Sequence, residues 1–234
     1  MKIKRFGFTL GEILMALAVI GIIATLTIPH LNAGKMASQA KAEFDTAYAN
    51  LSRAVAEMEA DEINVSAEKF SEKRSFYPIL KNYFNVALDC DVDAAFDVSS
   101  PCPKYKTGGL KNINGTNISD YNLYDDGAFV TNNGMLIMIN NEKNNSKGLL
   151  VTVDINGKVK PPNTLGYDIF TFEIAKGQVV PVGSVASKNN KWKTDTKKYC
   201  NKDAKTASGG EAGITCSLFA VSDDDYFQKL YNGR

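Results

Sequence analysis

The sequence has a single histidine, a single tryptophan and no excess of either charge. Its 27 basic residues against 26 acidic leave a formal net charge of +1. Overall charge therefore offers no footprint for nucleic acid. His30 abuts an apolar segment, where it reads as interfacial and not catalytic, and no serine lies in a nucleophile elbow. Gly108-Gly109 and Gly209-Gly210 read as turns, and no glycine-rich phosphate loop is present. The four cysteines include no closely spaced pair of the kind a zinc site uses. With 44% apolar and 23% charged residues, the chain is neither a disordered tail nor a collagen-like repeat. Long apolar runs are missing as well, with one exception, which excludes a multipass membrane protein.

That exception is the most informative segment of the chain. Phe8 to Ile28 is a run of 21 residues with one charge, Glu12, and Lys2, Lys4 and Arg5 stand just ahead of it. As a helix it would span about 31 Å, the thickness of a bilayer core. The basic flank predicts a cytoplasmic N-terminus, with everything beyond Pro29 across the membrane. A secretory signal cut near Ala33 is the plain alternative. Two features oppose it. A carboxylate such as Glu12 costs about 2.5–3.5 kcal/mol at bilayer centre, somewhat less near the interface. Helical periodicity also continues past the supposed cut: Met36, Ala40, Phe44, Ala47, Leu51, Val55 and Met58 recur every three or four residues. Lys35, Lys41, Glu43, Arg53, Glu57 and Glu59 fill much of the remainder. One helix of some fifty residues is expected, with Pro29 as a kink.

Lys4-Arg5-Phe6-Gly7-Phe8-Thr9-Leu10-Gly11-Glu12, followed by the apolar run and Thr27-Ile28-Pro29, resembles the leader of type IV pilins and type II secretion pseudopilins. The resemblance implies a leader 1–7 removed after Gly7 by a prepilin peptidase, which also N-methylates Phe8. It makes Glu12 the family's signature acid and Pro29 its helix-breaking proline. Gly11 departs from it, standing where a larger apolar residue is usual and weakening local helix propensity by up to about 1 kcal/mol. Cleavage after Gly7 would leave 24 basic residues against 26 acidic, a formal charge of −2, and a positive amine on Phe8. In a filament that amine can approach Glu12 of a neighbouring subunit, each group relieving the other's desolvation.

The rest of the chain reads as one exported domain. Ala67 to Leu88 suggests short helical stretches interrupted at Pro78, and Asp89 to Tyr124 a loop region. Ala128–Thr131 and Met135–Asn140 flank the hairpin signal Asn133-Gly134; Leu149–Ile155 leads into a second, Asn156-Gly157. Asp168–Ile174 alternates, and Gln178–Val182 is rich in β-formers. The fold class expected is α+β and pilin-like. It has a long N-terminal helix, membrane anchor in 8–30 and amphipathic in 31–62, packed on a small antiparallel sheet of four or five strands within a domain spanning 31–234. Asp154-Ile155-Asn156-Gly157 with Pro162-Asn163, Gly166 and Asp168-Ile169-Phe170 also looks like a stretch seen in bacterial pilin-like proteins.

Cys90, Cys102, Cys200 and Cys216 are even in number and all lie on the exported side, which favours disulfides. Three pairings are open. Cys90–Cys102 with Cys200–Cys216 is preferred because it staples two turn-rich loops, each contributing on the order of 3 kcal/mol.

No organic cofactor is expected. Asp154, Asn156, Asn163 and Asp168 offer oxygen ligands around glycine turns and are the candidate calcium set, although their order does not match an EF-hand. A hairpin with polar turn residues is the favoured reading. Asp223-Asp224-Asp225 is a poorer metal candidate. Lys188 to Lys198, with Trp192, is basic enough to raise DNA as a partner, through stacking on Trp192; Asp195 and Asp203 dilute the charge, and a solvated loop before Cys200 is the favoured reading.

The function expected is that of a non-enzymatic structural subunit of a type IV pilus or a secretion pseudopilus. It would sit in the bacterial inner membrane in a single pass and later in a filament in the periplasm or at the cell surface. Its partners would be the prepilin peptidase/N-methyltransferase, other pilin subunits, the assembly platform and the membrane. A minor pilin that primes assembly or binds DNA is the alternative, with a membrane-tethered secreted enzyme further off.

Overall fold

The computed structural model describes residues 9–92, 102, 109–118, 121–203 and 210–232, without the side chains of Leu26 and residues 28–31. The leader and the Gly7–Phe8 bond lie outside it.

Helix α1 (Leu10–Ala60) is 51 residues long and continues without a break through position 29. Thr9 caps it, and Glu12 completes a capping box. The hydroxyls of Thr25 and Thr27 donate to the carbonyls of Ile22 (2.8 Å) and Ile23 (2.9 Å), so neither is left unpaired in apolar surroundings. Glu62, with φ 60°, turns the chain at the far end and lets the Ile63 amide donate to the Met58 carbonyl at 2.9 Å.

The two halves of α1 differ in what they touch. From Leu10 to Ile23 every residue is exposed. From Ala37 onward a stripe of Ala37, Ala40, Phe44, Ala47, Leu51, Ala54, Val55 and Met58 is buried. Met36, expected in that stripe, is exposed, and Ala37 takes its place. Ion pairs Lys41–Asp45 and Arg53–Glu57 lie on the wet side, one turn apart; such pairs add a few tenths of a kcal/mol. Among the described residues no helix is long and apolar enough to cross a membrane. The unbroken run of described apolar-half side chains stops at Thr25.

The sheet is larger than expected. Six strands run antiparallel in chain order: β1 (Val86–Asp89), β2 (Ala128–Thr131), β3 (Leu136–Asn140), β4 (Leu149–Asp154), β5 (Ile169–Ala175) and β6 (Gln178–Pro181). β1 falls in a stretch that reads as helical. Pro78 does not interrupt a helix there but sits in the first turn of α2 (Tyr77–Leu80), where its missing amide is harmless. A 3₁₀ turn at Lys81–Tyr83 then delivers the chain to the edge of β2. Asn133-Gly134 does form the β2–β3 turn. Asn156-Gly157 does not close a tight hairpin: it opens a long loop, Ile155 to Asp168, between β4 and β5. β2 to β5 are buried almost throughout, on both faces.

The core sits between α1, β5 and the C-terminus. Phe44 meets Phe170 edge-on (ring centres 4.7 Å apart) and lies near Phe172 and Phe227; Tyr48 stacks on Phe172 at 5.3 Å. Four short helices that sequence periodicity did not single out close the domain: α3 (Asn190–Thr194), α4 (Thr196–Tyr199), α5 (Cys216–Ser222) and α6 (Tyr226–Asn232). α6 is the main partner of α1. Cys90–Cys102 and Cys200–Cys216 are the two disulfides, the preferred pairing.

Candidate functional site

Two features stand out from the fold. The first is the bare half of α1. Leu10, Leu14, Met15, Leu17, Ile20 and Ile22 are 58–77% exposed, and Ile13, Val19 and Ile23 are also open. Monomeric water-soluble proteins rarely present an apolar surface of this extent, and such surfaces mark sites of interaction. Because apolar residues occupy every side of this half, it asks for an apolar environment all round, and not for one partner groove. The single acid in it, Glu12, is engaged within its own chain. The Thr9 amide and the Thr9 hydroxyl both donate to its carboxylate at 2.8 Å, and its own amide donates back to Thr9 Oγ1 at 3.2 Å. The Thr-x-x-Glu spacing was visible in the sequence, but the apolar context drew attention to the charge and not to the cap. Phe8 lies outside the described residues, and position 29 is helical with its side chain undescribed.

The second feature is the β4–β5 loop, which brings together the four oxygen-bearing residues read from the sequence. Asp154 ends β4 and is fully buried; Asp168, just before β5, is 1% exposed. The Ile155 amide donates to the Asp168 carbonyl at 2.9 Å, tying the two ends of the loop together. Gly157 (φ +77°) sits where a β-carbon would collide with the Gly134 carbonyl oxygen, so the loop leaves β4 pressed against the β2–β3 turn. Asp168 accepts from the Thr164 amide (2.6 Å) and the Asn163 amide (2.8 Å). The Asn163 side-chain amide donates to the Lys158 carbonyl at 2.9 Å, which leaves its Oδ1 as the acceptor still to be satisfied.

Four buried oxygens in this loop have no hydrogen-bond partner: both carboxylate oxygens of Asp154, and Oδ1 of Asn156 and of Asn163. Each such atom costs about 1–3 kcal/mol when left unpaired, more for a charged group. Burial raises Asp154 well above the usual carboxylate range, and the nearby charge of Asp168 raises it further. Asp168 is pushed up to about 6, by burial first, against the stabilising loop amides. The Gly157 and Asn156 amides oppose the rise at Asp154, but neither reaches hydrogen-bonding geometry, so burial and repulsion win there. Lys158 supplies favourable charge, yet its Nζ donates to the Cys102 carbonyl at 3.3 Å.

A second acidic group, Asp125, Asp126 and Glu142, gathers its oxygens within 4.8 Å. Two protein cations offset part of its charge, while Asp125 keeps one buried oxygen without a hydrogen-bond partner. Asp126, fully buried, faces Arg74 Nε at 3.3 Å and Lys73 Nζ at 3.4 Å and accepts from the Asn141 amide at 2.9 Å; Lys73 also reaches Glu142 at 3.7 Å. Asp223 is likewise paired, with Lys229 at 2.8 Å. Trp192, raised as a residue that could stack on a base, is fully buried and presents no ring face to a nucleic acid.

Comparison with protein-family models, with curated proteins and with solved structures finds no match for this chain.

Proposed function

We propose that the protein is a filament subunit of the type IV pilin and pseudopilin kind, without catalytic activity. The observation that carries this reading is the exposed apolar half of α1, continuous with a half buried in a disulfide-stapled α+β domain. The sequence supplies the rest: the basic flank, Gly7 and Phe8 at a prepilin-type junction, and Glu12 five residues into the processed chain. In the proposed cycle the complete run Phe8–Ile28 holds the precursor in the inner membrane, with its N-terminus cytoplasmic. A prepilin peptidase cuts after Gly7 and N-methylates Phe8. The same helix then leaves lipid for the core of a polymer of like subunits, through an inner-membrane assembly platform, and the domain becomes the filament surface. Glu12 acts as an assembly contact with the new amine of a neighbour and not as a catalytic acid.

Mass spectrometry of the processed N-terminus tests the reading. An N-methylated Phe8 is expected; a chain beginning near Gly34 overturns it. The DNA-binding variant of the reading loses its stacking residue with Trp192 buried, and only the lysines of the 188–198 segment remain to support it.

A further inference from the structure

One cleft of the domain, of about 210 Å³, is lined mainly by side-chain amides. Asn50 and Arg53 come from α1, where their spacing puts them on one face. Phe84 and Asn85 come from the approach to β1, and Asn132 and Asn133 from the β2–β3 turn. Main-chain and side-chain bonds fix this set in place. The Asn132 amide donates to the Asn85 carbonyl at 2.9 Å, which ties the turn to the approach of β1. The Thr131 hydroxyl donates to Asn133 Oδ1, so the NH₂ group is the end of Asn133 left to donate. Phe84 is held against Phe129, with ring centres 5.4 Å apart. The side-chain amides of Asn50, Asn85 and Asn132 make no hydrogen bond among the described residues.

The chemistry of the lining narrows the occupant. Among the described residues no carboxylate lines the cleft, which leaves a hard cation without a charged ligand. Arg53 is the one charge there, and it already donates to Glu57 at 3.0 Å, which leaves little positive charge for a phosphate or a polyanion. An apolar ligand would strip water from four amides and return no hydrogen bond. Each carboxamide combines a donor with an acceptor, and so does a hydroxyl group. We propose that the cleft binds one unit of a saccharide. Its ring hydroxyls would meet Asn50, Asn85, Asn132 and Asn133, and its C–H groups the ring of Phe84. The volume falls short of the roughly 300–1,000 Å³ of pockets that take drug-sized ligands, so the site takes a single ring. The proposal goes beyond the filament reading and stands without it.

The test uses the full chain in lauryldimethylamine oxide, a detergent without a sugar head group. The probes are the methyl glycosides of glucose, galactose and N-acetylglucosamine, read by saturation-transfer NMR and by titration. Glucuronate, inorganic phosphate and triglycine are run beside them. Saturable binding of at least one neutral glycoside is expected, in the millimolar range and indifferent to salt, because no ligand charge is there to screen. Asn85→Ala combined with Asn132→Ala should weaken it by about tenfold, as for two neutral hydrogen bonds lost. Both residues are exposed, so the double variant should melt with the parent. Asn50→Ala, on the opposite wall, should weaken binding by about threefold. A protein that binds none of the three glycosides overturns the proposal. Glycoside binding that survives both the double variant and Asn50→Ala overturns it too, by placing the sugar elsewhere. Binding confined to glucuronate or phosphate, and weakened by salt, would make the cleft an anion site and likewise overturn it.

Discussion

Glu12 and Thr9 hold each other. Oε2 of Glu12 accepts from both the amide and the hydroxyl of Thr9, and Thr9 Oγ1 accepts from the Glu12 amide. A carboxylate that looks stranded in an apolar helix is thus satisfied inside its own chain before any neighbour arrives. Glutamine fills the same capping role without charge, so cap and charge can be separated. Glu12→Gln should keep the first turn of α1 folded yet fail in filament incorporation as badly as Glu12→Ala. The measurement is the fraction of subunit recovered in sheared filaments. Normal incorporation of Glu12→Gln would reduce Glu12 to a helix cap. Thr9→Ala should cost about 1 kcal/mol of local helix stability.

Phe44 joins the long helix to the domain, touching rings from β5 and α6. Phe44→Ala should destabilise the domain by about 3–5 kcal/mol in denaturant unfolding, the range for emptying a buried aromatic site. Met36→Ala, at the exposed position just before the buried stripe begins, should change stability by no more than about 0.5 kcal/mol.

The Cys200–Cys216 bridge ties α5 to the segment after α4 and lies beside Tyr226, whose hydroxyl donates to the Gly166 carbonyl at 2.7 Å. Replacing both cysteines with serine should lower stability by about 3 kcal/mol, as expected for a loop of this length. A reductant should lower the melting temperature of the parent and leave that of a variant lacking all four cysteines unchanged.

Glu173 lies buried on β5 and accepts from the Ser187 hydroxyl and from the Lys188 amide at 2.9 Å. Burial raises its carboxyl above the usual range, against those hydrogen bonds. A carboxyl raised on folding binds its proton more tightly in the folded state. Its contribution to stability is thus present at low pH and is lost as pH rises from the ordinary carboxylate value through the raised one. Asp168 acts in the same sense. Between pH 5 and 7.5 the parent should therefore lose more melting temperature than Glu173→Gln under the same conditions. Parallel slopes for the two proteins would acquit Glu173.

Legibility followed the number of independent constraints on each segment. Helix α1 was readable because hydrophobicity, charge and period agree over fifty residues, and strands β2 to β6 because turn signals bracket them. β1 was not, since four mostly exposed residues, Val86 to Asp89, carry no alternation and become a strand only by lying beside β2. The C-terminal helices are too short for a period to emerge, although Tyr226, Phe227, Leu230 and Tyr231 do fall on one side of a helix. At the loop site the oxygen donors could be counted in the sequence. What it could not show is that Asp154 is sealed from water while the loop amides turn to Asp168 instead. The burial of Trp192 was hidden for a related reason: the lysines on either side of it in sequence read as a solvated segment.

The absence of any interruption in α1 between Ile23 and Ala37 makes the helix a shaft with a fixed phase. One residue inserted near Gly34 would turn everything beyond it by about 100° and advance it by about 1.5 Å. In a filament of the proposed kind, which side of the domain points outward would then be set at the first turn of the helix, by how its apolar half beds among like helices. The sheet, the disulfides and the loop would shape the surface on display, and the helix would aim it.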